Sequence, residues 1–289
     1  MVELDYVVVG HVTRDLLNDE FGVGGTAAYA ARTAEALGCR AGVITSTGPE
    51  LDIDELLRGV LVTNHPAPRT TTFENRYVGR RRRQVIHGTA EPLVPAMVPH
   101  DWRTAIAHIG PVAQECDVAL TDAFEEAFVG VTPQGWIRQW DAGGKVYRSE
   151  WQEAGVVLAR ADAMVLSEED IGRRKRLALE YAAQIPVLAV TRGPGGCTIY
   201  AGGEIREFAP PAVTELDPTG AGDVFAAAFF CALRRGREPW AAACFANCLA
   251  AQSVTRRGLS GVPDAEDVAR CRQAMLEDRL SDGHHLRAG

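Results

Sequence analysis

The sequence predicts an α/β fold: a mostly parallel central sheet flanked by helices, carrying a small β lid. Three observations lead there. Short β-type runs alternate with Ala- and Leu-rich helical stretches, the signature of strands joined by crossover helices. Glycine turns open helix-compatible runs at Gly24-Gly25 and at Gly220 to Gly222. One segment, Thr70 to Val94, instead alternates side chains about a turn at Gly79, as an antiparallel ribbon does.

Taken in order, the expected strands are Tyr6 to Val9, Gly42 to Ser46, Val118 to Leu120, Lys145 to Tyr147, Ala163 to Leu166 and Pro186 to Thr191. TAAYAARTAEALG reads as a helix ending at Gly38, and VFAAAFFCAL as a buried one. The chain of 289 residues, 46% of them hydrophobic, is read as one domain over 1–289, with lid segments at about 14–23 and 70–94. The Arg80 to Arg83 run beside the lid turn reads as a solvated hairpin tip or as a contact for a phosphate or a partner acid.

A net charge of −8 excludes a global field for nucleic acid or an anionic membrane, so an anionic ligand requires a local site. No apolar run approaches the roughly 20 residues that span a bilayer. MVELDYVVVG lacks a basic leader and reads as a first strand. Seven scattered cysteines without a CxxC indicate neither a disulfide framework nor a zinc ribbon, and Cys244 and Cys248, one helical turn apart, read as core packing. A soluble, cytoplasmic protein is expected.

The strongest chemical signal is Asp217-Pro218-Thr219-Gly220-Ala221-Gly222-Asp223 before an apolar helical run. Small side chains at Gly220, Ala221 and Gly222 let main-chain amides approach a ligand, and the N-terminus of the following helix favours an anion there. Asp223 reads as the helix's N-terminal acid or as a chemical group; unperturbed, it would titrate near 3.9.

DPTGAGDVFAAAF resembles the C-terminal signature of the PfkB, or ribokinase-like, family of carbohydrate kinases, and the resemblance covers nearly the whole chain. It implies a ribokinase-like fold and an ATP-dependent phosphotransferase. In that role Asp223 is the catalytic base on an acceptor hydroxyl, and the Gly220, Ala221 and Gly222 amides form the anion hole. Asp15, in Gly10-His11-Val12-Thr13-Arg14-Asp15, falls where the family binds two substrate hydroxyls, and a carboxylate suits a vicinal diol. Thr13 stands where sugar kinases often carry Asn. Gly24, Gly25 and Thr26 resemble the family's first, substrate-positioning signature. Tyr29 replaces a sugar-binding Asn of many members, and with TTTFENRY and QGWIR is more similar to the myo-inositol kinase branch.

QGWIR, with Arg138, resembles an element by which some relatives hold substrate or the transferring phosphate, and the other reading of Arg138 is a guanidinium packed on Trp136 or Trp140. Ser167-Glu168-Glu169-Asp170 lies where the family organises Mg2+ through water, which the resemblance assigns to Asp170 and Glu168; the same residues make a helix N-cap with first-turn acids. The resemblance further assigns Thr191, Gly193, Gly196, Thr219 and Asn247 to the nucleotide, and Asp217 to the monovalent cation, K+, of some relatives. The expected activity is phosphorylation of a small sugar or polyol, inositol-like, by ATP. A nucleoside kinase and a catalytically silent sugar or nucleotide sensor are the alternatives, with no nucleic-acid or membrane partner. A monomer and a homodimer paired through the lid both remain open.

Overall fold

A computed structural model describes residues 1–17, 20–78, 81–172 and 174–285. Its β strands are β1 (Val2–Val9), β2 (Thr13–Leu17), β3 (Glu20–Gly24), β4 (Ala41–Thr47), β5 (Leu61–Pro66), β6 (Thr72–Val78), β7 (Arg81–Gly88), β8 (Trp102–Ile109), β9 (Phe128–Val131), β10 (Arg138–Trp140), β11 (Val146–Arg148), β12 (Ala163–Ser167), β13 (Val187–Thr191), β14 (Cys197–Ala201) and β15 (Glu204–Phe208). The α-helices are α1 (Thr26–Ala36), α2 (Ile53–Leu56), α3 (Ala154–Leu158), α4 (Lys175–Ala182), α5 (Ala221–Arg234), α6 (Pro239–Ser253) and α7 (Ala265–His285).

Among the described residues, nine strands form the main sheet in the order β15-β14-β13-β12-β9-β8-β1-β4-β5. From β5 to β13 every neighbour is parallel, and β14 and β15 close one edge as antiparallel strands. One face is covered by α1, α5, α6 and α7, around Tyr6, Tyr29, Phe225, Phe229 and Phe230. The other carries Trp136, Trp151 and Tyr181. Burying each such aromatic is worth about 1.5–3 kcal/mol. Gly130 in β9 is what lets α5 sit so close: a Cβ there would stand 2.5 Å from the Phe230 ring.

A smaller sheet, β3-β2-β6-β7, stands apart. Its strands come from two of the expected lid segments, but β2 joins β6 in parallel, so the sheet is mixed, not a simple antiparallel ribbon. The β10–β11 ribbon is fastened to it, Ile86 N donating to Gly144 O at 2.8 Å. The expected turn at Gly79 and Arg80 lie outside the described residues; Arg83 is exposed.

Three expectations are corrected. Val118 to Leu120 is not a strand but part of a 3-10 turn, Val118–Asp122, which Asp117 caps by accepting from Ala119 N at 2.8 Å. Lys145 to Tyr147 belongs to the two-stranded ribbon and not to the parallel sheet. Cys248 is bonded to Cys271, tying α6 to α7, while Cys244 is exposed; packing of two helices unites cysteines that sequence spacing keeps apart. No helix among the described residues is long and apolar enough to cross a membrane.

Candidate active site

The carboxyl ends of β1, β8, β9, β12 and β13 face the N-termini of α1 and α5, the edge where ligands of such sheets gather. The exits of β1 and β8 lie against each other because a Cβ on Gly10 would overlap the Gly110 carbonyl.

At the head of α5, Gly220 has φ +77°, and a Cβ on it would overlap the ring of Tyr29. Tyr29 is therefore a wedge under the turn. It is 1% exposed and its hydroxyl points to Val23 O at 3.5 Å, so it supports the site from beneath and does not line the substrate surface expected of it. Ala221 N is already turned to Pro218 O at 3.2 Å. The amides best disposed toward an anion are those of Gly222 and Asp223, in the first turn of a helix, where N–H groups have no intrahelical acceptor. Gly222 is exposed, and a Cβ there would meet nothing within 4 Å.

Asp223 Oδ1 accepts from the Thr26 hydroxyl at 2.7 Å, which joins the heads of α1 and α5. Its carboxyl does not keep the ordinary value expected from sequence. Burial pushes it up to about 6; the Thr26 hydrogen bond and the Arg138 charge pull it down, and the Asp15 and Asp170 charges raise it. Four residues far apart in the chain thus share one electrostatic field.

Asp15 is fixed by its strand and its neighbours. Thr13 Oγ1 donates to its Oδ1 at 3.1 Å, and Gly24, opposite Thr13 across the β2–β3 pair, leaves room for the carboxylate: a Cβ there would stand 2.6 Å from Oδ2. Gly25, with φ +88°, caps α1 and lies so close to His11 that a Cβ would overlap its carbonyl. Arg138 Nη1 donates to Val112 O at 3.1 Å, and its guanidinium lies over Phe73, 5.7 Å from the ring centroid, not on Trp136 or Trp140.

Ser167 and Asp170 form a reciprocal box, Ser167 N donating to Asp170 Oδ2 at 2.8 Å and Asp170 N to Ser167 Oγ at 3.1 Å. It closes a turn; α4 starts only at Lys175, so the expected helix cap is a loop brace. Among the described residues no cluster of three or more His, Cys, Asp or Glu side chains could hold a metal. Mg2+ bound to phosphate needs only one or two protein carboxylates, and Asp170, within electrostatic reach of Asp223, with half-buried Glu168 on the same turn, fits that requirement.

Asp217 accepts from Thr219 N at 2.9 Å and Gly258 N at 2.8 Å. Burial alone would raise its pKa; these bonds and the Arg257 charge hold it below the usual carboxylate range. Both oxygens tie loops together.

Thr191 and Gly193 lie at the end of β13, with Thr191 O accepting from Glu168 N at 2.8 Å. Gly196 is packed beneath the strands, where a Cβ would overlap Phe208 O. Asn247 is not brought to the site: it is 4% exposed and its amide donates to Phe208 O at 3.2 Å and Cys197 Sγ at 3.4 Å.

Several residues escape sequence reasoning. Asn75 and Gln84 face each other across β6 and β7, joined at 3.1 Å. Asn75 lies two residues from Phe73, the partner of Asp15, so it shares the face that carries Asp15. Buried Glu115 accepts from the main-chain N–H of His11, Val112 and Ala113 at 2.6–3.0 Å. His108, neutralised by burial that lowers its pKa to about 3, bridges Tyr6 and Thr132 behind the site. Only the type of these residues is visible in sequence; their convergence needs the fold.

The edge of this doubly wound sheet thus carries an open helix head beside a half-buried carboxyl, an arrangement suited to group transfer. The comparisons name the class. Residues 152–265 match the pfkB family carbohydrate kinases. The chain is 30% identical over 258 residues to a cytidine kinase of Thermococcus kodakarensis, covering 81% of this chain and 90% of that one. It is 29% identical over 289 residues to an inositol 3-kinase of Oryza sativa subsp. japonica, covering 89% and 70%. Among solved structures, a pyrophosphate-dependent kinase in the ribokinase family, complexed with a pyrophosphate analog and myo-inositol, superposes with a TM-score of 0.78 at 22% identity, covering 92% of this chain and 99% of that one. The chain belongs to the PfkB family of carbohydrate kinases, phosphotransferases that act on an alcohol group.

Proposed function

We propose that this chain transfers the γ-phosphoryl group of ATP to a hydroxyl of a small polyol of the inositol type. The observation that carries the reading is Asp223: a carboxyl with a pKa near 6, braced by Thr26, at the open head of α5 and in the field of Asp15, Arg138 and Asp170.

Phosphoryl transfer needs in-line positioning and fixed donors for spreading negative charge more than a strong base. The acceptor's vicinal hydroxyls donate to Asp15, with Asn75 and Gln84 on the same face of the small sheet. One hydroxyl oxygen attacks phosphorus as the bond to the leaving phosphate oxygen breaks, and its proton passes to Asp223. The Gly222 and Asp223 amides, the α5 N-terminus and Arg138 take up the charge on the transferring group. When bound through Asp170 and Glu168, Mg2+ neutralises phosphate charge. The small sheet acts as a lid that excludes water, and the domain is the whole chain with that lid inserted.

A nucleoside acceptor is the second reading, favoured by the 30% identity with a cytidine kinase. A product-release assay tests both: ATP or pyrophosphate as donor, against myo-inositol, ribose, fructose and cytidine. Inositol-dependent ADP release well above the blank is the expected result. Preference for cytidine replaces the acceptor class, preference for pyrophosphate replaces the donor, and a ligand-induced thermal shift without any product makes the chain a sensor.

A further inference from the structure

The chain crosses between the main sheet and the small sheet four times: outward at 11–13, back at 24–25, outward at 70–72 and back at 88–91. One buried residue meets all of them, through its main chain and its ring. His11, fully buried, stands on the first crossing, with its N–H held by Glu115 at 3.0 Å. Its carbonyl is packed on Gly25, in the second. Its Nδ1 lies 2.7 Å from the Thr71 hydroxyl, in the third, and its Nε2 lies 2.9 Å from Glu91 O, in the fourth. The Thr71 hydroxyl also accepts from Ala90 N at 2.9 Å.

Hydrogen-bond logic fixes the tautomer. A carbonyl only accepts, so Nε2 carries the hydrogen and donates to Glu91 O. Nδ1 is then an acceptor and takes the Thr71 hydroxyl hydrogen, and Thr71 Oγ1 takes the Ala90 N–H. With these roles every polar group in the chain of bonds is satisfied, and no apolar residue of its size could do that.

We propose that His11 is a positioning residue, the clamp that sets the small sheet, and with it Asp15, over Asp223. The consequence for catalysis rests on the kinase reading; the mechanical claim does not. Donor-side groups, at Gly220 to Asp223 and Ser167 to Asp170, belong to other segments and are not held by this clamp.

The test compares His11→Leu, the nearly isosteric Thr71→Val, and His11→Gln, which keeps one donor and one acceptor. Hydrogen exchange reads the clamp directly. In His11→Leu and Thr71→Val, amides of Phe73 to Asn75 and Gln84 to Ile86 should exchange about tenfold faster, the worth of one lost buried hydrogen bond, while β1 and β8 keep wild-type protection. Acceptor KM should rise by about the same factor with donor KM unchanged, and the ratio of donor hydrolysis to acceptor phosphorylation should increase. His11→Gln should recover part of each effect. Folded Leu and Val variants with wild-type exchange in the small sheet overturn the clamp, as does a uniform loss of protection in both sheets. If the wild type phosphorylates no acceptor, the kinase reading fails, and the exchange data still decide the clamp. Should His11→Leu fail to fold, Thr71→Val carries the test alone.

Discussion

In the proposed reaction the donor and acceptor halves of the site are built in opposite ways. The donor half centres on one run of sequence, Asp217 to Asp223, whose turn, amides and carboxylate are fixed by a helix N-terminus and a ring wedged beneath it. The acceptor half gathers Asp15, Asn75 and Gln84 from two segments, and depends on a second sheet being held at the correct angle. Local geometry fixes the first, and long-range contacts fix the second. Chemistry is thereby separated from the choice of acceptor.

Substitutions should respect that division. Gly220→Ala breaks the donor half: its Cβ enters the Tyr29 ring at a positive φ, so the amides move, and kcat should fall roughly 10²–10³-fold, measured by steady-state product release. Asp15→Asn removes a charged acceptor of two hydroxyl hydrogen bonds. Acceptor KM should rise about 10–100-fold while donor KM stays put, and an equal rise in both would merge the two halves. Arg138→Met sharpens the comparison, because this guanidinium touches the small-sheet face through Phe73 and Asp223 through its charge. Its expected loss, about tenfold, should fall in kcat more than in acceptor KM.

The smallest effect is on stability. Asp223 has a folded-state pKa raised to about 6, above an ordinary carboxylate, so the folded protein binds that proton more tightly than the unfolded chain. Ionisation above that pH destabilises the fold, and Asp223→Asn should raise Tm by a few degrees at pH 8. The gain should vanish below about pH 4, where both states hold the proton. A variant equally destabilised at both pH values would contradict the raised pKa.

Legibility in the sequence follows the same split. The DPTGAGD turn, the Gly24-Gly25 turn and most outer strands of the parallel sheet announce themselves by residue type and spacing. Strand β8, central and buried along its second half, hides because WRTAIAHI has neither alternation nor a clean apolar run. Asn247 and Tyr29 carry no mark that distinguishes a ligand contact from a buried brace; only packing against Phe208 and Gly220 does. The elevated pKa of Asp223 arises from burial and from charges up to some two hundred positions away, and the Cys248–Cys271 bond from the pairing of two helices.

The pH dependence of kcat/KM for the acceptor, in the wild type and in Asp223→Asn, bears most directly on the site. The wild-type rate should fall tenfold per pH unit below about 6, as the base takes up its proton, and stay level above it. Asp223→Asn should be slower by roughly 10²–10⁴-fold with that limb gone and donor affinity retained. A variant that keeps both the rate and the acid limb would mean that another group takes the proton, and the assignment of Asp223 would be wrong.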